Sequence, residues 1–157
     1  MKKEELRKLI LTAGGARKAD TVIKNCKVVN VFSGKIVEGD IALCGDQIAG
    51  VGEYEGEVEI DAEGRYAAPG FIDSHIHIES SYLSPEELGR LLVPHGGTTI
   101  IADPHEIVNV SGTKGMDYFL KCAAKLLVNV FFMVPSAVPA TDVETNGCGE
   151  FLASDMM

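Results

Sequence analysis

The sequence predicts an α/β fold, namely the N-terminal part of a metal-dependent (β/α)8 barrel preceded by part of a small β-sandwich domain. Three observations predict it. Short β-like runs separated by turn residues fill residues 20–68, strand and helix signals alternate from residue 69 onward, and a His-x-His pair lies in the first strand of that alternation. The composition, 46% hydrophobic and 24% charged, is that of a globular protein and excludes disorder, collagen and a membrane bundle.

Charge and apolar patterning exclude further classes of function. The chain has 14 Lys and Arg against 23 Asp and Glu, a net charge of −9, so we expect neither a nucleic-acid partner nor binding to an anionic membrane surface. The longest apolar stretch, residues 128–140, contains Asn129 and two prolines and falls short of the roughly 20 residues that a membrane span needs. Charged residues near the N-terminus replace the apolar core of a signal peptide, which predicts a cytoplasmic protein.

The cysteines predict neither a zinc ribbon nor a disulfide framework. No two of them form a Cys-x-x-Cys pair, and none lies in a recognisable nucleophile context. We therefore expect plain thiols at the four positions, Cys26, Cys44, Cys122 and Cys148.

The first 68 residues predict a helix and then an incomplete sheet. Within residues 1–19, the apolar residues Leu6, Leu9, Ile10 and Ala13 have helical spacing, and Gly14 can end the helix. Within residues 20–68 we predict strands at residues 21–23, 27–32, 41–43, 47–51 and 58–60, with turns at residues 33–34, 39–40 and 45–46. About 40 residues of strand cannot close a sandwich alone, so we expect strands from elsewhere to complete it.

Residues 69–157 predict about three βα units. Strands are expected at residues 71–78, 98–102 and 129–134, and a second helix at residues 113–126. The first helix begins after Ser84, which is a suitable N-cap followed by Pro85 and by Glu87 at the third helical position, and it continues to about Leu92. A complete barrel needs about 250 residues. This region is therefore either a small three-layer domain or the front end of a barrel, and its chemistry favours the barrel.

The first strand carries the strongest candidate site. Asp73, His75, His77 and Glu79 occupy alternate positions, with Ile72, Ile76 and Ile78 among the positions between and beside them, so a strand would turn all four toward one face. Two imidazoles on the inner face of a barrel strand can bind one divalent cation. They could also be hydrogen-bonded surface histidines. Their position in an otherwise apolar strand favours the cation, because buried ionisable groups need partners.

The end of the second strand carries a second candidate, Asp103-Pro104-His105-Glu106. Barrel active sites assemble at this end of the strands, where the three ionisable groups fit cation ligation or proton transfer. A solvated loop is equally compatible with the local string, and the position favours function. His95 precedes the strand, so we do not expect it to be a ligand. In residues 135–141 two prolines stiffen a loop that we interpret as a packed connection rather than a pocket wall.

These residues lie in motifs that resemble a known family. The strings are PGFIDSHIHIESS at residues 69–81, PHGGTT at 94–99, ADPHEIVNV at 102–110 and PSAVPAT at 135–141. The first string is shared across the amidohydrolase superfamily, including dihydroorotases and N-acetylglucosamine-6-phosphate deacetylases. The last two are more particular to bacterial and archaeal adenine deaminases. From residue 20 to the end, the chain resembles the N-terminal part of those deaminases.

The resemblance implies a β-sandwich built from both ends of the chain around a metal-dependent barrel that hydrolyses adenine to hypoxanthine and ammonia. It implies a divalent metal pair, manganese first, with iron or zinc as alternatives, and a purine as the small-molecule substrate. His75 and His77 match the metal-binding pair. The catalytic candidates near it are Glu79, Asp103, His105 and Glu106, of which Glu79 and Glu106 are assigned proton transfer or substrate orientation.

The resemblance also implies a longer protein, because family members are several times this length and take further ligands from later strands. We expect this chain to be an N-terminal portion that is inactive by itself and forms a homo-oligomer when full length. The alternatives are another amidohydrolase acting on a cyclic amide, and a catalytically dead scaffold or split-enzyme subunit. A zinc deaminase of another fold, suggested by His77-x-Glu79, would need a Pro-Cys-x-x-Cys motif that the sequence lacks.

Overall fold

The chain forms two compact units, Met1–Pro69 and Gly70–Met157. A computed structural model describes residues 1–135, 138–139, 141, 143, 147 and 153–156. No helix in that part of the chain is both long and apolar enough to cross a bilayer.

The first unit begins with helix α1 (Lys3–Ala13), which ends at Gly14 as predicted. The predicted apolar side of α1 is largely exposed, and Ile10 is 61% accessible. The polar Thr12, in contrast, is fully buried. The Thr12 hydroxyl can be buried because it accepts a hydrogen bond from Arg17 at 3.3 Å.

A five-stranded sheet follows the helix. Its strands run in the order β3-β2-β1-β4, and β5 pairs with β1. The bounds are β1 Ala19–Asn30, β2 Lys35–Cys44, β3 Gln47–Gly52, β4 Gly56–Asp61 and β5 Tyr66–Ala67. The prediction of separate strands at residues 21–23 and 27–32 is wrong. They form one strand with an irregular register between Ile23 and Cys26, around the left-handed backbone of Asn25.

Asp40 lies inside β2, so the predicted turn at residues 39–40 is also wrong. Its carboxylate is buried and accepts hydrogen bonds from the Lys24 ammonium and from the backbone N–H of Asn25. Burial alone would raise the pKa of Asp40, but these hydrogen bonds outweigh it and hold the pKa below the usual value. The bonded carboxylate therefore lies at the irregular point of β1 and fixes the two strands together.

A second carboxylate joins α1 to the sheet. Asp20 accepts hydrogen bonds from Lys8 at 2.7 Å, from Arg17 at 2.9 Å and from the backbone N–H of Gly45 at 2.9 Å. The hydrogen bonds from Lys8 and Arg17 hold the pKa of Asp20 well below its usual range.

The sheet of the first unit has an open apolar groove of about 450 Å³. Val28, Val37, Ile41, Ile48 and Val51 are among the residues that line it. Several of these side chains remain accessible, including Ile48 at 66%. The unit thus retains apolar surface that a complete sandwich would bury.

The described part of the second unit contains three parallel strands, which are paired in chain order. They are β6 Phe71–Ile76, β7 Gly97–Ala102 and β8 Asn129–Phe132, with helices α2 Pro85–Leu92 and α3 His105–Ala123 between them. Short 3₁₀ helices span Ile78–Ser81, Val93–His95 and Ala153–Met156. The alternation of strands and helices is confirmed. The predicted cap is confirmed too, since the Ser84 hydroxyl accepts a hydrogen bond from the backbone N–H of Glu87.

Several predicted boundaries in this unit are wrong. The third strand ends at Phe132 rather than at residue 134, and the second helix ends at Ala123 rather than at residue 126. The first strand ends at Ile76 rather than at residue 78, because the chain turns into a 3₁₀ helix. The second helix begins at His105 rather than at residue 113. Gly112 interrupts it with φ 58° and ψ −142°, a left-handed backbone that favours glycine, so helical spacing does not run continuously across the break.

The helices cover one face of the sheet. Their shared core consists of Ile78, Leu88, Ile100, Ala102, Phe119 and Val128. The opposite face carries accessible apolar side chains, with Ile72 66% and Phe131 60% exposed. Parallel sheets are normally covered on both faces, whereas the described residues of this unit leave one face of the sheet uncovered.

Candidate functional site

His75, His77 and Asp103 meet at the C-terminal ends of β6 and β7. One possible ligand atom from each lies within 4.8 Å of the others. Asp103 directly follows β7, and its backbone N–H donates to the carbonyl of Ile76, the last residue of β6, at 2.9 Å. The parallel pairing of two neighbouring strands thus places the three side chains at one edge.

The two imidazoles turn the same nitrogen toward each other. Nε2 of His75 and Nε2 of His77 are 3.2 Å apart. On the other side of its ring, Nδ1 of His77 lies 2.9 Å from Oε2 of Glu106. An ionised carboxylate only accepts hydrogen bonds, so Nδ1 donates and Nε2 of a neutral His77 keeps its lone pair. The hydrogen bond to Glu106 raises the pKa of His77, and the nearby Asp103 and Glu79 act in the same direction.

Glu79 lies near this cluster but not in the predicted way. It belongs to the 3₁₀ helix that follows β6, so alternation along a strand does not determine where its side chain points. Its Oε1 accepts a hydrogen bond from the backbone N–H of Ile107 at 2.8 Å. Its Oε2 is buried without a hydrogen-bond partner in the described part of the chain. Burial raises the pKa of the Glu79 carboxyl.

Asp73 does not join the cluster. The register shifts between Asp73 and Ile76, which breaks the expected alternation, and Oδ1 of Asp73 accepts a hydrogen bond from the backbone N–H of His75 at 3.1 Å. Asp103 behaves differently, because its Oδ1 is buried and, within the described residues, has no hydrogen-bond partner. The cluster therefore contains a carboxylate oxygen available to a cation.

The remaining predicted residues occupy three different places. His105 is the first residue of α3, and Glu106 follows it, so this string is the start of a helix and not a loop. His95 lies in the 3₁₀ helix that precedes β7, at the other end of that strand. Of the predicted loop at residues 135–141, residues 136, 137 and 140 lie outside the part of the chain that the structure describes, as does Cys148.

The sequence did not predict one hydrogen-bond donor beside the cluster, the backbone N–H of Ile107, which donates to Glu79. The signal for it was the residue before α3: Pro104 occupies the N-cap and offers no side-chain acceptor. A helix that begins without a capping side chain of its own needs an acceptor from elsewhere.

Comparisons with known proteins give matches that cover most of the chain. Residues 66–154 match the sequence profile described as the Amidohydrolase family. "Adenine deaminase 2" of Desulfotalea psychrophila is 62% identical over 147 residues, which are 94% of this chain and 26% of that protein. "Adenine deaminase" of Ligilactobacillus salivarius is 54% identical over 157 residues, which cover 99% of this chain and 27% of that protein. The chain thus spans about a quarter of the length of these relatives.

One solved structure has the same fold over most of the chain. It is the N-acyl-D-glutamate deacylase of Bordetella bronchiseptica, complexed with zinc and a phosphonate inhibitor. The TM-score is 0.58 at 19% identity, and the match covers 75% of this chain and 30% of that one. The resemblance inferred from the sequence motifs is confirmed by the profile and by the relatives.

Proposed function

Because this chain belongs to the amidohydrolase family, we propose that it is the N-terminal portion of a longer enzyme that hydrolyses adenine to hypoxanthine and ammonia at a divalent metal site. We refer to that longer enzyme as the full-length protein. The observation that carries the proposal is the convergence of two imidazole nitrogens and a carboxylate at the ends of β6 and β7. The names of the similar proteins support adenine as the substrate.

The residues at this edge fit a divalent cation. Two nitrogens that bind one tetrahedral ion at about 2.1 Å lie about 3.4 Å apart. Nε2 of His75 and Nε2 of His77 are 3.2 Å apart already. The unpartnered Oδ1 of Asp103 is the kind of buried acceptor that a cation would satisfy. Imidazole and carboxylate together suit manganese, iron and zinc, and we propose a manganese pair whose remaining ligands come from the rest of the full-length protein.

A bound divalent cation would supply Lewis acidity and an activated water at neutral pH. The protein's own residues provide the orientation. Glu106 holds the proton on Nδ1 of His77 and so directs Nε2 toward the site. His105 starts the same helix beside Glu106 and is a further catalytic candidate.

The open surfaces support the rest of the fold proposal. Over its described residues the second unit has three parallel strands with one uncovered face, as the first units of a (β/α)8 barrel would have. The first unit has an open apolar groove, as part of a β-sandwich would have. Further strands of the full-length protein would fill both.

The test is turnover by the purified full-length protein loaded with Mn²⁺. Adenine should be consumed with equal formation of hypoxanthine and ammonia, and His77→Ala should abolish both the turnover and most of the bound metal. A dihydropyrimidine is the comparison substrate. Turnover of that ring without turnover of adenine would assign a cyclic-amide hydrolase instead, and turnover of neither would favour a scaffold.

A further inference from the structure

Helix α3 begins without a cap of its own. The first N–H groups of a helix have no acceptor within it, and a Ser, Thr, Asp or Asn side chain at the N-cap usually supplies one. The N-cap of α3 is Pro104, which makes no side-chain cap hydrogen bond. Ile107 is at the third helical position. Its backbone N–H is a group that a capping side chain normally binds.

Glu79 supplies the missing acceptor from another element. Its Oε1 accepts the Ile107 N–H at 2.8 Å, although the two residues are 28 positions apart in the chain. The helix dipole favours a carboxylate at this end. The contact is sheltered from water, since Oε2 of the same carboxylate is buried.

This contact joins the same two segments that the His77–Glu106 hydrogen bond joins. Glu79 is two residues after His77, in the 3₁₀ helix for which His77 is the N-cap. Ile107 directly follows Glu106. The two hydrogen bonds, 2.9 Å and 2.8 Å long, therefore run in parallel between the end of β6 and the start of α3.

We propose that Glu79 is a positioning residue, which holds the start of α3 against the turn after β6 so that Glu106 can orient His77. The inference rests on the proposed function in taking the cation to bind at His75, His77 and Asp103. This role differs from the predicted proton transfer, and it concerns Oε1, the oxygen of Glu79 that accepts the backbone N–H.

The role needs an acceptor at Oε1 and not a negative charge, and two substitutions separate these requirements. Glu79→Gln keeps the carbonyl oxygen, and its amide replaces an oxygen that is already unpaired. Glu79→Ala removes the acceptor. The measurements are Mn²⁺ affinity of the full-length protein by competition with a chelator, and hydrogen exchange of the Ile107 amide.

We expect Glu79→Ala to weaken Mn²⁺ binding by about 10-fold, the lower end of what loss of an outer-shell partner costs, and to speed exchange of the Ile107 amide. Glu79→Gln should restore most of the affinity and the slow exchange. The matched control is Glu87→Ala on α2, whose exposed carboxylate pairs with Arg90, and it should change neither. If Glu79→Ala fails to fold, Glu79→Met is measured instead, because methionine fills a similar volume and provides no carboxylate acceptor.

Two outcomes would overturn the proposal. In the first, Glu79→Gln weakens Mn²⁺ binding as much as Glu79→Ala or Glu79→Met does. In the second, Glu79→Ala or Glu79→Met changes neither the Mn²⁺ affinity nor the exchange of the Ile107 amide. Neither measurement uses substrate, so failure of the proposed function is seen separately. If the variants show the expected affinity pattern but the protein does not turn over adenine, the positioning role of Glu79 stands and the substrate assignment is wrong. If the unmodified protein binds no Mn²⁺, exchange of the Ile107 amide still decides whether the Glu79–Ile107 hydrogen bond holds the two segments together.

Discussion

Replacing Asp103 with alanine should change stability in opposite directions without and with metal. Oδ1 of Asp103 is buried and has no hydrogen-bond partner within the described residues. Leaving a buried acceptor unpaired costs about 1–3 kcal/mol. Asp103→Ala removes that cost and forfeits about 0.3–1 kcal/mol of favourable interaction with the N-terminus of α3. The metal-free variant should therefore be more stable than the unmodified protein by about 1 kcal/mol.

With metal present the balance reverses. At a free metal concentration of 100 times Kd, binding adds about 2.7 kcal/mol to stability. If loss of the Asp103 ligand weakens affinity by about 100-fold, the same concentration adds only about 0.4 kcal/mol. The variant then loses about 2.3 kcal/mol of metal-linked stability, more than the 1 kcal/mol gained without metal, and becomes the less stable protein.

Thermal unfolding of the full-length protein in EDTA and in excess Mn²⁺ measures both signs. The control is Asp117→Ala on the exposed side of α3, where the carboxylate lies 3.9 Å from Lys121, and its small effect should be the same in both conditions. If Asp103→Ala lowers the unfolding temperature equally in EDTA and in Mn²⁺, Asp103 is structural and the ligand assignment fails.

Three further predictions concern other contacts. Glu106→Ala should weaken Mn²⁺ binding by about 10-fold, because Nδ1 of His77 loses the acceptor that orients the ring, and chelator competition measures it; unchanged affinity would contradict this. Asp20→Asn should cost about 1 kcal/mol at pH 7 in urea unfolding, since the folded pKa of Asp20 lies below its unfolded value of about 3.9. This stabilisation is present above pH 4 and is lost as the pH falls through the folded pKa of Asp20. A stability difference between Asp20→Asn and the unmodified protein that grew in acid would contradict a stabilising role for the ion pairs. Ser84→Ala should lower the stability of the second unit by about 1 kcal/mol in the same assay, through loss of the α2 cap, while Ser33→Ala in an exposed turn should not.

The parts of the fold that could be predicted are those that local chemistry determines. Helix α2 has a capping serine, a proline at its first position and a short apolar run, and its bounds agree with the prediction. The His-x-His pair and Asp103 could be placed at one edge because parallel neighbouring strands end together. Each of these inferences needed only a few adjacent residues.

The parts that could not be predicted depend on contacts between distant residues. Alternation placed Glu79 on a strand, but its carboxylate binds Ile107, and no local pattern encodes that pairing. The start of α3 was missed because Gly112 divides the helix, so its first stretch is too short to show helical spacing. In the first unit, burial of Asp40 overrode a turn signal, because Lys24 and the Asn25 N–H satisfy the carboxylate inside the sheet.

The unsatisfied groups of the second unit lie where the proposed barrel would need them. Ile72 and Phe131 are exposed on the uncovered face, and among the described strands β6 and β8 each have one unpaired edge. His75 is exposed at the end of β6, while at the end of β7 the buried Oδ1 of Asp103 has no hydrogen-bond partner among the residues that the structure describes. Additional parallel strands would cover the apolar side chains, pair the edges and bring further ligands to the same end of the sheet. Closing the sheet and completing the metal site are then one structural event, so metal affinity should depend on the residues that close the barrel as well as on the ligands themselves.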